Sequence, residues 1–324
     1  VAARLPGSNT DRHWLAAAAA LAVRARPLSR PNPAVGAILV KNGIVVGRGW
    51  TQPGGRPHAE AMALTQAGSA AQGATLYVTL EPCAHDSARG PCCAGLVRAA
   101  GVERVVAGME DPDPRTAGAG IALLLEAGIA ASCVADPSCR NSLAGYLLAK
   151  RLGRPLVTLK LAITADGFIA RPDGTSKWIT GDAARAHVHV ERAMNDAILV
   201  GGGTVRADAP RLDVRLAGLE HRSPQRIVLT RGEAPDGWTK IASPADIASL
   251  EGVQYLFVEG GAVTARAFLE ADLVDRLLLY RAPVTFGGGI SAFADAGPAG
   301  VPEGWRLADR RTLGSDTLEV YLRA

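Results

Sequence analysis

Short apolar runs alternate with amphipathic stretches of helical length along most of the chain. AVGAILV (34–40) and GIVVGRGW (43–50) flank Lys41-Asn42 and predict a hairpin. HAEAMALTQAG (58–68) predicts a helix ended by Gly68, and ATLYVTL (74–80) a short apolar strand. CCAGLVRAAG (92–101) reads as helix, VERVVAGM (102–109) as strand, GAGIALLLEAG (118–128) as helix and IAASCVA (129–135) as strand. This alternation is the pattern of an α/β sandwich around a central sheet.

Residues 136–152 continue as helix until Gly153-Arg154-Pro155 breaks it, so a domain boundary is expected near 150, giving units 1–150 and 151–324. LVTLKLAITADG (156–167) opens a second series. Further strands are expected at DAILVGG (196–202), QRIVLT (225–230), QYLFVEGG (254–261) and VDRLLLYRAPV (274–284), with helices at 182–194 and 262–271. There is no internal repeat and no low-complexity tract.

Composition fits two soluble domains: 324 residues exceed one domain of roughly 100–200, and 48% apolar residues suffice for two cores. The net charge of +4 is too small and scattered for a nucleic-acid footprint, although it suits a small anionic substrate. With only 5% aromatics, a base-stacking platform is not expected either. WLAAAAALAV (14–23) is too short to span a bilayer and lacks a cationic n-region followed by a cleavage site, so it is expected to be a buried or amphipathic first helix. The five cysteines cluster rather than form a framework, which points to a reducing compartment and a cytoplasmic protein without membrane partners.

The chemistry concentrates in PHAEAMAL (57–64) and LEPCAHDSARGPCC (80–93). His58, Cys83 and one of Cys92 or Cys93 make three ligands, the number a catalytic zinc site uses when its fourth position stays open. A structural zinc site would want four ligands in paired C-x-x-C knuckles, which are absent. His58 and Glu60 are two residues apart and converge only at a helix entry, where Pro57 fits. The second cysteine of the site also opens a helix, after Pro91. Two helix N-termini aimed at one point favour thiolates, and a carboxylate beside a zinc-activated water shuttles protons to a leaving amine.

H-x-E followed by P-C is the signature of the zinc nucleoside and nucleobase deaminases. With RPNPAVGAILV (30–40) and DPDP (111–114), residues 10–150 resemble the deaminase half of the bifunctional riboflavin-biosynthesis deaminase/reductase family. The resemblance implies a cytidine-deaminase-like α/β/α sandwich, zinc on His58, Cys83 and Cys92, and Glu60 as the acid/base. It also implies Asn32 at the pyrimidine ring and His85, Asp111 and Asp113 at the substrate. Taken alone, Asn32 between prolines is a turn residue and DPDP a loop. The loop AHDSARGP departs from the family pattern, with Arg89 one place later than the usual basic residue.

In the second half, ILVGGGTVRADAPRLDVR (198–215) and YLFVEGGAVTARAFLE (255–270) set glycines between a strand and a polar or helical segment. Such turns let backbone N–H groups approach a phosphate, though neither fits G-x-G-x-x-G. Residues 155–290 are similar to the reductase half of the same family, a dihydrofolate-reductase-like α/β domain using NADPH. That resemblance implies that Ala162, Trp178, Thr204, Asp208, Gly261, Ala262, Val263, Thr264, Ala265, Arg266 and Ala267 line the cofactor. Ser176, Arg192, Leu212, Arg215 and Glu259 would line the substrate, with Lys160 nearby. The two arginines suit a sugar phosphate, which a guanidinium binds bidentately. Ala209 stands where the family often has a second Asp, and the connection from Arg215 to Glu259 is shorter than usual.

The implied activity is zinc-dependent hydrolytic deamination of 2,5-diamino-6-(5-phosphoribosylamino)pyrimidin-4-one, then NADPH reduction of the ribosyl group to ribityl. A homo-oligomer built through the reductase half is also implied. Two other readings stay open on the residues alone: a nucleoside, nucleotide or tRNA deaminase with an unrelated C-terminal binding domain, and a zinc-stabilised scaffold.

Overall fold

Gly153 takes the left-handed conformation, φ 66°, that a glycine adopts without strain, and there the chain passes from one compact unit, Val1–Gly153, to another, Arg154–Ala324. The computed structural model describes residues 7–176, 179–291, 293, 301 and 303–323.

The first unit opens with α1 (Asn9–Ala22), started by a reciprocal capping box between Ser8 and Asp11. The hairpin β1 (Gly36–Lys41) and β2 (Ile44–Trp50) follows, then α2 (Ala59–Ala67), β3 (Thr75–Val78), α3 (Cys93–Ala99) and β4 (Arg104–Ala107). α4 (Ala119–Glu126), β5 (Ala130–Cys133), α5 (Pro137–Ser142) and α6 (Ala144–Leu152) complete it. The sheet order is β2-β1-β3-β4-β5, antiparallel across β2, β1 and β3 and parallel from β3 to β5.

The alanine-rich segment is α1, with Leu15, Ala18 and Ala22 fully buried. Small residues are needed because the sheet lies close: a Cβ on Gly36 would stand 2.1 Å from the Ala18 carbonyl oxygen. On the other helix the approach is as tight, since a Cβ on Gly49 would stand 2.3 Å from the Ala59 carbonyl oxygen. α1 is also tied to β4 through Asp11, which accepts from both Arg104 Nη1 (2.8 Å) and Nη2 (3.0 Å), and from Tyr77 Oη (3.2 Å).

The second unit has β6 (Leu156–Ile163), β7 (Phe168–Ala170), α7 (Asp182–Ala193), β8 (Ala197–Gly201), α8 (Gly202–Asp208), β9 (Gln225–Leu229) and β10 (Thr239–Ile241). β11 (Tyr255–Val258), α9 (Ala262–Glu270), β12 (Arg276–Arg281), β13 (Ile290–Ser291), β14 (Trp305–Leu313) and β15 (Asp316–Arg323) follow. Eight strands run in the order β10-β9-β8-β11-β6-β12-β15-β14, and β13 pairs with β7 separately. The strands from β10 to β12 are parallel, and β12, β15 and β14 are antiparallel. The central strands β8, β11 and β12 are buried on both faces, which explains their unbroken apolar runs. Among the described residues no helix is long and apolar enough to cross a membrane.

Candidate active sites

His58 is the N-cap residue of α2, in extended conformation, and Glu60 lies buried in that helix's first turn. From the opposite side, Cys83 follows β3 and Cys93 is the first residue of α3. His58 Nδ1 stands 3.3 Å from Cys93 Sγ and 3.6 Å from Cys83 Sγ, and the three donor atoms lie within 4.8 Å of one another. One imidazole and two thiolates at these separations fit the faces of a tetrahedral zinc site, whose metal–ligand bonds are about 2.0–2.3 Å.

The resemblance implied Cys92 as the second thiol, but it is Cys93 Sγ that stands beside His58 and Cys83. Cys92 is the N-cap of α3, its backbone N–H bound to Asp86 Oδ1 (2.7 Å) and its sulfur lying along its own helix, 3.2 Å from where a Gly95 Cβ would be. One residue later the chain has turned inward, and Cys93 is 1% exposed. Cys83 and Cys93 are separated by nine residues, Cys83 and Cys92 by the expected eight.

The groups share few protons. The Cys93 thiol donates toward Cys83, which lowers Cys83 and raises Cys93, and the Cys93 backbone N–H also reaches Cys83 Sγ at 3.2 Å. Burial would lower His58, but its hydrogen bond to Cys83 and the charge of Glu60 outweigh this and raise it. Burial pushes Glu60 up to about 7, against the pull of His58. A carboxyl poised there exchanges protons readily near neutral pH.

His58, Glu60 and Cys83 open onto a cavity of about 300 Å³ also lined by Asn32, His85, Asp111 and Asp113. Asn32 donates to the Gly55 carbonyl (3.2 Å) and packs where a Gly55 Cβ would be, so Gly55, at φ 86°, has room for no side chain. His85 Nδ1 is buried without a hydrogen-bond partner. Asp111 accepts from the Asp113 backbone (3.0 Å) and from Tyr146 Oη (2.8 Å), while Asp113 is held by Arg115 (2.7 Å) and Lys150 (3.1 Å). Burial raises Asp111, whereas the Arg115 hydrogen bonds hold Asp113 well below the usual carboxylate range.

Sequence reasoning passed over several residues here. Glu81, beside Pro82-Cys83, is buried and accepts from the backbone N–H groups of Gly118, Gly120 and Ile121, docking α4 on the cysteine loop. Tyr146 and Lys150 lie four apart on one face of α6, a spacing that could have flagged them. Arg56, Arg89 and Arg115 add positive charge to the rim.

In the second unit a cavity of about 520 Å³ lies between the starts of α8 and α9. Thr204, Gly261, Val263, Thr264 and Ala267 line it, as do the unpredicted Gly201, Gly202, Gly203, Arg206, Thr230 and Arg231. Glycines are required here: a Cβ on Gly201 would stand 2.3 Å from Thr264 Oγ1, and one on Gly260 2.5 Å from Thr264 Cβ. The remainder of the expected cofactor run divides by helix periodicity. Ala265 is fully buried in the core and Arg266 faces outward, paired with Glu270 at 2.7 Å, so neither lines the cavity. Ala262, Asp208 at the end of α8 and half-buried Ala162 on β6 are also outside its lining, and Trp178 lies outside the described residues.

Glu259, just after β11, binds Arg192 of α7 through two hydrogen bonds, 2.6 Å from Nε and 3.0 Å from Nη2. Burial would raise Glu259, but Arg192 and Lys160 hold it low; burial lowers Lys160 on β6. Leu212 is buried with φ 55°, Arg215 is exposed beyond it, and Ser176 is exposed.

Comparison with known proteins finds the cytidine and deoxycytidylate deaminase zinc-binding region over residues 8–109 and the RibD C-terminal domain over 155–245 and 245–318. Riboflavin biosynthesis protein RibD of Corynebacterium ammoniagenes is 41% identical over 83% of this chain and 85% of its own length. The Escherichia coli protein of that name is 38% identical over 86% and 89%. The chain belongs to the RibD family. A solved RibD of Acinetobacter baumannii, 33% identical, superposes with a TM-score of 0.85 over 97% of this chain and 99% of its own. Another, the Thermotoga maritima deaminase/reductase, 30% identical, gives 0.84 over the same shares.

Membership makes this chain a bifunctional enzyme of riboflavin biosynthesis, a zinc-dependent deaminase and an NADPH-dependent reductase. Its first unit has the cytidine-deaminase-like fold and its second the reductase fold of the family. A deaminase with an unrelated C-terminal domain does not account for relatives that match both halves.

Proposed function

We propose that the deaminase cavity takes the phosphoribosylamino-diaminopyrimidinone and removes the amine at ring carbon C2. The observation that carries this is the buried carboxyl of Glu60 beside the His58–Cys83–Cys93 triangle. Zinc, when held by these three residues, makes a water acidic enough to attack at neutral pH. Glu60 accepts a proton from the attacking water and hands it to the departing amine, which leaves as ammonia. Asn32, Asp111 and the unpartnered His85 Nδ1 offer hydrogen bonds for the ring, and the basic rim suits the sugar phosphate.

In the second unit the glycine turns at α8 and α9, with Arg206 and Arg231, form a cradle suited to a dinucleotide's phosphates. NADPH, when bound, supplies a hydride for sugar carbon C1′. Lys160, with its lowered pKa, and the Arg192–Glu259 pair bind and align the sugar, and Arg215 meets its phosphate. The clustered cysteines suit a reducing cytoplasm, and the family resemblance supports a homo-oligomer through the reductase unit, checked by light scattering.

Glu60→Gln tests the deaminase assignment. Ammonia release should fall about 10²–10⁴-fold with zinc content unchanged, while reduction of the already deaminated substrate continues. Deamination at the wild-type rate would refute the role of Glu60.

A further inference from the structure

Asp111 and Asp113 share one loop of the deaminase cavity yet differ in what they have left to offer. A carboxylate has about four acceptor positions. At Asp113 they are filled: Oδ1 accepts from the Arg115 backbone N–H (3.1 Å) and Nε (2.9 Å), and Oδ2 from Arg115 Nη2 (2.7 Å) and Lys150 Nζ (3.1 Å). At Asp111 only Oδ1 is engaged, by the Asp113 backbone N–H (3.0 Å) and by Tyr146 Oη (2.8 Å). No described residue donates to Asp111 Oδ2, and Asp111 lines the cavity.

The backbone beneath Asp111 is already fixed. Its N–H donates to Glu81 Oε2 (3.4 Å), as does that of Gly118 (2.9 Å), and the Asp113 carbonyl accepts from the N–H groups of Thr116 and Ala117 (both 2.9 Å). What remains is rotation of the Asp111 carboxylate, which is broad and roughly two-fold about χ2. Tyr146 restricts it. This ring on α6 is 5% exposed and packed in the core of the first unit, with the Lys150 ammonium 5.8 Å from its centroid. Burial and the charge of Asp111 both raise the Tyr146 phenol, so at neutral pH the oxygen keeps its proton and is the donor of the pair. A donor fixed by core packing holds Oδ1 back and leaves Oδ2 for the cavity.

We infer that Tyr146 is a positioning residue of the deaminase: by binding Oδ1 it aims Asp111 Oδ2 at an N–H of the pyrimidine ring other than the departing amine, while Asp113 holds Arg115 and Lys150. An N–H that keeps its hydrogen through the reaction is bound equally in ground and transition states, so the contact acts on KM and not on kcat. The inference rests on the proposed seating of the ring in this cavity.

Deaminase kinetics are read in Tyr146→Phe, Asp111→Asn and the double variant, with zinc content reporting that the first unit is intact. Tyr146→Phe removes one hydroxyl and keeps the packed ring; it should raise KM about tenfold and leave kcat within about twofold. Asp111→Asn keeps an acceptor for the Asp113 N–H and turns an amide donor toward the donor of the ring, so KM should rise at least as far. Added to Asp111→Asn, Tyr146→Phe should raise KM by less than about a further twofold, because the oxygen it aims is gone. An unchanged KM in either single variant, an equal effect of Tyr146→Phe in both backgrounds, or loss of zinc from Tyr146→Phe would overturn the inference. If the unsubstituted, zinc-loaded protein releases no ammonia from this substrate, it is the seating of the ring that fails, and the role of Tyr146 falls with it.

Discussion

Cys92 and Cys93 differ by one peptide unit, yet only one sulfur reaches His58 and Cys83. The sequence contains the ligand types and the acid: His58, Cys83, Glu60 and a cysteine opening α3 follow from residue chemistry and helix-entry spacing. It does not contain the cap position. Whether α3 starts at Cys92 or Cys93 depends on the path of the loop from Cys83, where Asp86 caps the Cys92 N–H. Cys93→Ala should bring zinc content close to zero and ammonia release down at least a hundredfold. Cys92→Ala should keep about one zinc per chain and most of the activity. Metal analysis of both purified variants decides it, and zinc loss from Cys92→Ala alone would reverse the assignment. Along the start of α9, 100° per residue turns the Ala265 side chain into the core and Arg266 outward, so only part of the expected cofactor run lines the cavity.

Elements were legible where burial made them uniformly apolar. β1, β3, β4, β8, β11 and β12 announce themselves in this way. β14 does not, because it is an edge strand exposing Arg306, Arg310 and Arg311, and β10 is only three residues long. α8 begins with Gly202-Gly203, residues of low helix propensity whose place is set by the cavity. Close helix–sheet contact also leaves only glycine and alanine as a trace. Gly49→Ala should push α2 from the sheet, costing about 1–3 kcal/mol. Because α2 presents His58 and Glu60, thermal denaturation and zinc affinity should fall together; an unchanged melting temperature would contradict the packing.

The Asp11 contact of α1 with β4 predicts a pH dependence. Burial alone would raise Asp11, but hydrogen bonds from Arg104 and Ser8 bring it from 3.8 to about 2. A depressed carboxylate pKa means the folded state binds that proton less readily than the unfolded chain. Its contribution is therefore complete above about pH 4–5 and is lost as pH falls through about 2. Asp11→Asn should lower stability at neutral pH by on the order of 2 kcal/mol and flatten the loss between about pH 4 and 2. Denaturant titrations of both proteins across that range check the sign, and a gap that widens on acidification would contradict it.

At the scale of the whole molecule, two folds with separate cores carry two chemistries on successive forms of one substrate class. The first unit sets the carboxyl of Glu60 beside the His58–Cys83–Cys93 triangle, and the second has glycine-opened helix starts and a half-buried Lys160–Glu259–Arg192 cluster, to which the proposed function assigns hydrolysis and hydride transfer. The helix-breaking Gly153-Arg154-Pro155 stands where one compact unit gives way to the next, and the pairing of activities was legible from two sets of motifs in one chain. The chain-specific hydrogen-bond partners, such as Tyr146 on Asp111 or Arg192 on Glu259, were not legible, because each is made by elements distant in sequence.

The central claim is tested most directly by staged turnover of the phosphoribosylamino-diaminopyrimidinone. Ammonia is recorded first without NADPH, then NADPH is added and its oxidation followed. The account predicts ammonia release by zinc-loaded protein in the first stage and NADPH consumption in the second, matching the amount of substrate already deaminated. No ammonia from zinc-loaded protein, or NADPH oxidised by substrate that has not lost its amine, would contradict it.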